Sequence, residues 1–183
     1  TRLYHMINRE IRLAKAGQEA FIRLKLNHIV DEKMVAKLYE ANQAGVQVEL
    51  CLRGNCSLIP DIPGYSEGLF INGIISRYLE HSRIYIFGNG GDPRYFIGST
   101  DWMSRNLDRR VEVMTPVYDP DIQQELDFIV SAGLADTEQG YHVRVSDVRP
   151  RRDDYPAGTP LFNSQQALYK YYLDRKQSEN DHD

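Results

Sequence analysis

The succession of strand, helix and strand between residues 20 and 52 constrains this chain more than any other feature. AFIRLKL (20–26) alternates branched apolar residues with charged ones, MVAKLYEANQAG follows with helical spacing behind Asp31 as its N-cap, and VQVELCL (46–52) alternates again. Two strands joined through a helix pair in parallel, with a right-handed crossover in nearly every case. Ligands then gather beyond the carboxyl ends of the strands. Those ends carry Lys25 and Asn27 on the first strand and Arg53 and Gly54 on the second. An α/β fold with its functional residues at that edge is therefore expected.

The remaining segments extend the pattern. Leu3, Met6, Ile7, Ile11 and Ala14 recur at helical spacing and stop at Gly17, a residue suited to a left-handed C-terminal position. From Cys56 to Gly73 the run CSLIPDIPGYSEGLFING is dense in Pro, Gly and Ser and reads as a long functional surface loop lying over a site. ISRYLEHSRIYIF reads as extended, GNGGDP as a turn and RYFIGSTDW as the returning strand, so that His81 enters a β-hairpin and Ser99 leaves it. RRVEVMTPVY is a further strand. Asp119 and Pro120 start a helix, DIQQELDFIVSAG, expected to end at Gly133, and YHVRVSD is a last short strand. Residues 147–163, with clustered Arg and Pro and no periodicity, are expected to form an irregular arm. Ser164 caps a closing helix, and 177–183 is polar enough to be a disordered tail. We find no internal repeat, and the length suits a single domain spanning 1–183.

Charge and composition narrow the function. With 22 basic and 26 acidic residues the net charge is -4, which argues against coating nucleic acid through an overall field, so any polyanion must be met by a local basic cluster. Cys51 and Cys56 are the only cysteines and form neither a CxxC nor a histidine-associated pair, so a disulfide framework or zinc site is not expected and a reducing cytoplasm fits. No apolar run approaches the ~18–20 residues that span a bilayer, and the first residues mix acids and bases unlike a secretion signal. The chain opens without methionine, directly in a helical pattern, which points to a fragment of something longer.

Five histidines are candidates for chemistry. His5 lies in the first helix and His182 in the polar tail, and both are set aside. His142 alternates along a strand and suits a half-buried sheet position. His28 falls just after the first parallel strand, at the ligand-binding edge, and His81 has the strongest case. Arg77, Arg83, Arg94, Arg105, Arg109 and Arg110 surround His81 in sequence, and an extended backbone would put His81 and Arg83 on one face. An imidazole beside a guanidinium suits phosphoryl transfer, the imidazole moving a proton while arginines balance oxygen charge. The same pattern is also that of a solvated basic face.

A resemblance sharpens the choice. RLKLNHIVDEKMVAKLY, AGVQVELCLRGNCSLIPDIPGYSE, SRYLEHSRIYIFGNGG and FIGSTDWMSRNLDRRVEVMTPV, in this order and spacing, resemble successive blocks of the polyphosphate kinase family, over about residues 18 to 150 and again in the terminal helix. The resemblance implies a phospholipase-D-like domain with a mixed, largely parallel sheet flanked by helices, in which HSR and the downstream GSTD are variants of HxK and GSxN. Arg83 stands where lysine is usual, Gly88 where the acid would be and Asp101 where asparagine is common. The resemblance further implies transfer of the terminal phosphoryl group of ATP to inorganic polyphosphate, and the reverse, through a phosphohistidine carried by another domain. His81 would be a general acid/base and nucleotide-phosphate contact, Arg53 an ATP-phosphate ligand and Arg83 a further phosphate contact. Mg2+ is expected in the full enzyme with ligands outside this chain, the preceding domains of the same chain are expected partners, and the isolated fragment is expected to be inactive. Lys25 and Asn27 match a family block without an assigned role, and a solvated strand end is the plain alternative for both.

Two rival functions stay open at this level: a homodimeric phosphodiesterase or nuclease, against which the missing motif acid counts, and a non-catalytic polyanion-binding module. Homo-oligomerisation and peripheral membrane association of the full enzyme are likewise left open.

Overall fold

The computed structural model describes residues 2–103, 106 and 111–180. The strands are β1 (Phe21–Leu26), β2 (Gln47–Leu52), β3 (Leu69–Ile74), β4 (Ile84–Phe87), β5 (Arg94–Gly98), β6 (Met114–Val117), β7 (Gly140–Val143) and β8 (Val148–Pro150). The helices are α1 (Arg2–Lys15), α2 (Glu32–Gln43), α3 (Pro120–Ala135) and α4 (Ser164–Asn180). All eight strands form one sheet in the order β6-β5-β4-β1-β2-β3-β7-β8. The sheet is mixed, as expected, but its parallel strand pairs are confined to the central β1, β2 and β3; every other pair of these strands is antiparallel. The sheet is therefore not largely parallel as the resemblance implies, because antiparallel neighbours join on both sides of the central trio.

Side-chain alternation builds a core on each face. Ile22, Leu24 and Leu26 of β1 pack with Tyr85 and Phe87 of β4, with Leu3, Ile7 and Ile11 of α1 and with Met34, Leu38 and Ala41 of α2. Ile84 and Ile86 point the other way and pack with Leu126 and Val130 of α3. The helices start and stop for local reasons. The Asp31 side chain accepts from Met34 N at 3.0 Å, and Asp119 Oδ1 accepts from Asp121 N and Ile122 N ahead of Pro120. Beyond α1, Gly17 takes φ +71°, a left-handed conformation that glycine adopts freely.

Several segments differ from expectation. Cys56–Gly73 is not one long loop, because its last third enters β3, hydrogen-bonded in parallel beside β2. No helix joins β2 to β3. Residues 53–68 cross over in irregular backbone, held by Ser66 Oγ donating to Ile59 O and accepting from Ile62 N, and by the Tyr39 hydroxyl of α2 accepting from Ile59 N at 2.7 Å. From Ile59 onward this crossover packs on α2, while its first residues stay at the strand ends, where Asn55 and Ser57 pair with Ile29. Residues 147–163 contribute the edge strand β8 and a 3₁₀ turn (Arg151–Asp154), and Arg151 donates to Leu134 O, so the arm is partly built into the sheet. Of the expected tail 177–183, residues through Asn180 continue α4. No helix among the described residues is long and apolar enough to cross a membrane.

Helix α3 also runs past Gly133 to Ala135. This glycine is required by packing and not by termination: a Cβ there would lie 2.7 Å from Cys51 Sγ on β2. Gly133→Ala should therefore destabilise the fold by about 1–2 kcal/mol, the cost of overpacking exceeding the gain in helix propensity. Cys51→Ala in the same chain should recover part of that loss, because it removes the clashing sulfur. Urea unfolding of the single and double variants checks this; an unchanged midpoint for Gly133→Ala would show that the helix lifts away from the sheet without cost.

Candidate functional site

The parallel strands β1 and β2 end side by side, and the residue beyond each is polar: Asn27 after Leu26 and Arg53 after Leu52. Antiparallel β4 begins on the other side of β1, with Ile84 opposite Lys25, which brings Arg83 to the same edge. The fourth contributor follows β5. Trp102, fully buried, pins that stretch by main-chain bonds, its N donating to His28 O at 3.1 Å and its O accepting from Val30 N and Asp31 N at 2.9 Å. The Tyr85 hydroxyl donates to Thr100 O. Asp101, between them, is thereby aimed into the edge.

Asp101 is 5% exposed and organises what surrounds it. Its Oδ1 accepts from Asn27 N at 2.8 Å and His28 N at 3.3 Å, and its Oδ2 accepts from Asn27 Nδ2 at 3.0 Å and Arg83 Nη2 at 2.9 Å. The freed Asn27 Oδ1 accepts from Arg53 Nε at 2.6 Å. One carboxylate and one amide thus hold both arginines in a single frame. Arg83 Nη1 donates to His81 O at 3.0 Å and lies 3.4 and 3.3 Å from the two ring nitrogens of His81. Near-equal spacing places Nη1 against the ring and out of line with either lone pair, so neither nitrogen is firmly spent. Burial drives the Asp101 carboxyl up, but the bonds from Arg83 and Asn27 outweigh it and hold the group below its usual range.

His81 is exposed and lies on irregular backbone ahead of β4, not within a strand. Its contact with Arg83 comes from the fold of that segment instead of strand alternation. His81 and Arg83 open onto a cleft of about 600 Å³ whose other walls include Ile97, Val113, Leu126 and Ile129. Of the arginines near His81 in sequence, Arg83 alone enters this frame among the described residues. Arg94 pairs with Asp92 at the far end of the hairpin, Arg77 lies over the Tyr78 ring, and Arg105, Arg109 and Arg110 fall outside the described residues.

The other candidates resolve in particular ways. His28 Nδ1 accepts from Asn55 N at 2.9 Å, and its ring fills the space where a Cβ on Gly54 would stand, so it supports the turn after Arg53. His142 is half-buried on β7 as expected, accepting from Arg144 Nε. His5 is exposed on α1, and His182 lies outside the described residues. Lys25 and Asn27 are not a solvated strand end: they are 3% and 1% exposed. In the sequence Asp101 stands out only as a motif departure, and its role as anchor carries no local signal beyond its place after GST.

Residues 1–165 match a family model described as polyphosphate kinase C-terminal domain 2. Polyphosphate kinases are among the similar proteins, including one from Thermosynechococcus vestitus, 48% identical over 155 residues, and one from Escherichia coli K12, 41% identical over 178 residues. These alignments cover 85% and 97% of this chain but 21% and 25% of the relatives, so the chain spans about a quarter or less of their length. The crystal structure of polyphosphate kinase from Porphyromonas gingivalis superposes with a TM-score of 0.88 at 34% identity, over 95% of this chain and 26% of that one. A phospholipase D family member from Salmonella typhimurium, with a TM-score of 0.50 at 13% identity over 73% of this chain and 88% of its own, shares the fold.

A carboxyl group held below its unfolded value makes stability depend on pH with a definite sign. The Asp101 contribution should be fully present above its unfolded value of about 3.9 and should be lost as pH falls through the lower folded value. The difference in unfolding midpoint between the natural chain and Asp101→Asn is therefore expected to be constant near neutrality and to narrow below about pH 4. Thermal melts from pH 7 down to 3 test this, and a gap that widens in acid would contradict it.

Proposed function

Because the chain belongs to the polyphosphate kinase family, as the part described as its C-terminal domain 2, we propose that it supplies half of a site transferring the terminal phosphoryl group of ATP, reversibly, to inorganic polyphosphate. One observation carries this reading: a guanidinium without a balancing carboxylate and an exposed imidazole are fixed on one hydrogen-bonded frame. Arg53 spends Nε on the neutral amide of Asn27 and makes no ion pair among the described residues, so its remaining N–H groups and its full charge are available to phosphate oxygens. His81 stands exposed on the same frame, suited to give or take the proton when a bridging oxygen is released or captured. Arg83 is balanced by Asp101, so its part is to hold His81 and offer a remaining N–H to a phosphate, adding little net charge.

Positioning and charge balance supply most of the catalysis of phosphoryl transfer, so the site is complete only when an in-line nucleophile and further cationic groups face this edge. These would come from preceding domains of the full enzyme, which would carry the phosphohistidine. Among the described residues no group of three or more His, Cys, Asp or Glu could hold a metal, and Mg2+ would arrive with the nucleotide phosphates. Cys51 and Cys56 as free thiols support a cytoplasmic setting.

In the full-length enzyme, Arg53→Ala should lower kcat/KM for ATP by about 10- to 100-fold, the loss of one charge-assisted contact worth ~1.5–3 kcal/mol. Steady-state kinetics decide, and unchanged values would remove Arg53 from the site. The isolated 183-residue chain, incubated with γ-labelled ATP, is expected to acquire no acid-labile, base-stable label. Such label would place the nucleophile within this chain.

A further inference from the structure

We propose that Lys25, Glu80 and Gln165 are positioning residues for His81, acting through a buried ion pair and an amide clamp on the segment that carries it. The proposal rests on the reading that His81 takes part in phosphoryl transfer.

The segment from Ile75 to Arg83 has no strand or helix to hold it. It is also largely outside the core, with Ile75 and Leu79 each 72% exposed. Left to itself, such a stretch would sample many conformations, and an imidazole on it would spend little time in one place. Gln165, buried in the first turn of α4, removes that freedom. Its Oε1 accepts from Tyr78 N at 3.0 Å, and its Nε2 donates to Tyr78 O at 2.9 Å and to Glu80 Oε1 at 2.7 Å. Both amide hydrogens are used, and the Glu80 carboxylate fixes which way the amide faces. The other Glu80 oxygen accepts from Lys25 Nζ at 2.5 Å, with the two side chains 13% and 4% exposed. The next residue is His81, whose carbonyl accepts from Arg83. His81 is therefore gripped on its N-terminal side by Gln165 and Lys25 and on its C-terminal side by the Asp101 frame.

The clamp is itself anchored. Ser164 N and Oγ both donate to Asp136 Oδ2, at 2.8 and 2.6 Å, and Asp136 Oδ1 accepts from Gln139 N and Gly140 N, with Asp136 fully buried. The start of α4 cannot drift without breaking that knot. Lys25 in turn sits on the central strand of the sheet, opposite Cys51 on one neighbour and Ile84 on the other.

Stability alone is a poor reason for this pair. Burying a carboxylate and an ammonium costs several kcal/mol per ion before their attraction is counted, and apolar residues of similar volume commonly serve as well or better. A buried pair does give one fixed geometry, and a misplacement of about 1 Å can cost 100-fold in rate. The polar clamp therefore makes sense as a means of setting where the imidazole stands.

The test uses the full-length enzyme carrying this domain, with kcat, KM for ATP and the unfolding midpoint measured for each variant. Lys25→Met leaves Glu80 buried without a cation and should lower both stability and kcat. Lys25→Met combined with Glu80→Met removes the orphan charge and should regain most of the stability, while kcat stays about 10- to 100-fold down and KM changes by less than about threefold. Gln165→Met should follow the same pattern. If the double variant regains kcat together with stability, the pair is structural and the proposal falls. It falls also if KM rises with kcat unchanged. His81→Ala is the control that separates this proposal from its premise: undiminished turnover there would overturn the functional reading itself, whereas loss of turnover in His81→Ala with full turnover in the double variant would overturn the positioning role alone.

Discussion

The convergence of four N–H groups on the Asp101 carboxylate is the interaction on which the site depends. They come from the two residues that follow β1 and from the residue that precedes β4, so one side chain fixes the relative height of two strand ends and orients the guanidinium that meets His81. A carboxylate in so buried a place survives as an anion only because each oxygen is doubly hydrogen-bonded. Neutralising or removing it would leave Arg83 and Asn27 with donors facing an empty acceptor. Arginine suits position 83 for the same reason: its fork reaches Asp101 from one terminal nitrogen and His81 from the other, which the single ammonium of a lysine could not span in that geometry.

Much of the frame was legible in the sequence because it is encoded locally. Apolar alternation marked β1 and β2, helical spacing marked α1 and α2, and Asp31 and Asp119 announced their helices by capping chemistry. Resemblance supplied the family and singled out His81 and Arg53 as candidates. What escaped was decided by tertiary cover. Arg23 and Lys25 alternate identically on β1, yet Arg23 pairs with Glu49 at 31% side-chain exposure while Lys25 lies at 4% beneath the segment bearing Glu80. No pattern within FIRLKL separates the two. β3 was lost among the glycines and prolines before it, since a parallel crossover without a helix leaves no helical period to announce the next strand. The three residues of β8 are too few to alternate at all.

Charge is handled locally. The chain is net acidic, and Arg83, Arg94, Arg144 and Arg149 each have a carboxylate partner. Arg53 rests instead on an amide. A polyanion approaching such a surface meets little general attraction, so its binding would depend on the geometry of one edge and on whatever faces it, a design that favours selectivity over steering.

The amide of Gln165 closes on Tyr78 and Glu80 across 87 and 85 residues of chain. During translation β1, β2, β3 and the β4–β5 hairpin are all made before the clamp that steadies the segment beside His81, and contacts of such sequence separation are slow to close because loop entropy must first be overcome. The nascent domain can thus bury its central strands and form the Asp101 frame while the segment ahead of His81 is still unclamped. The approach to His81 would be the last part of the proposed site to acquire its working shape on the ribosome, a natural delay between having a fold and having a site.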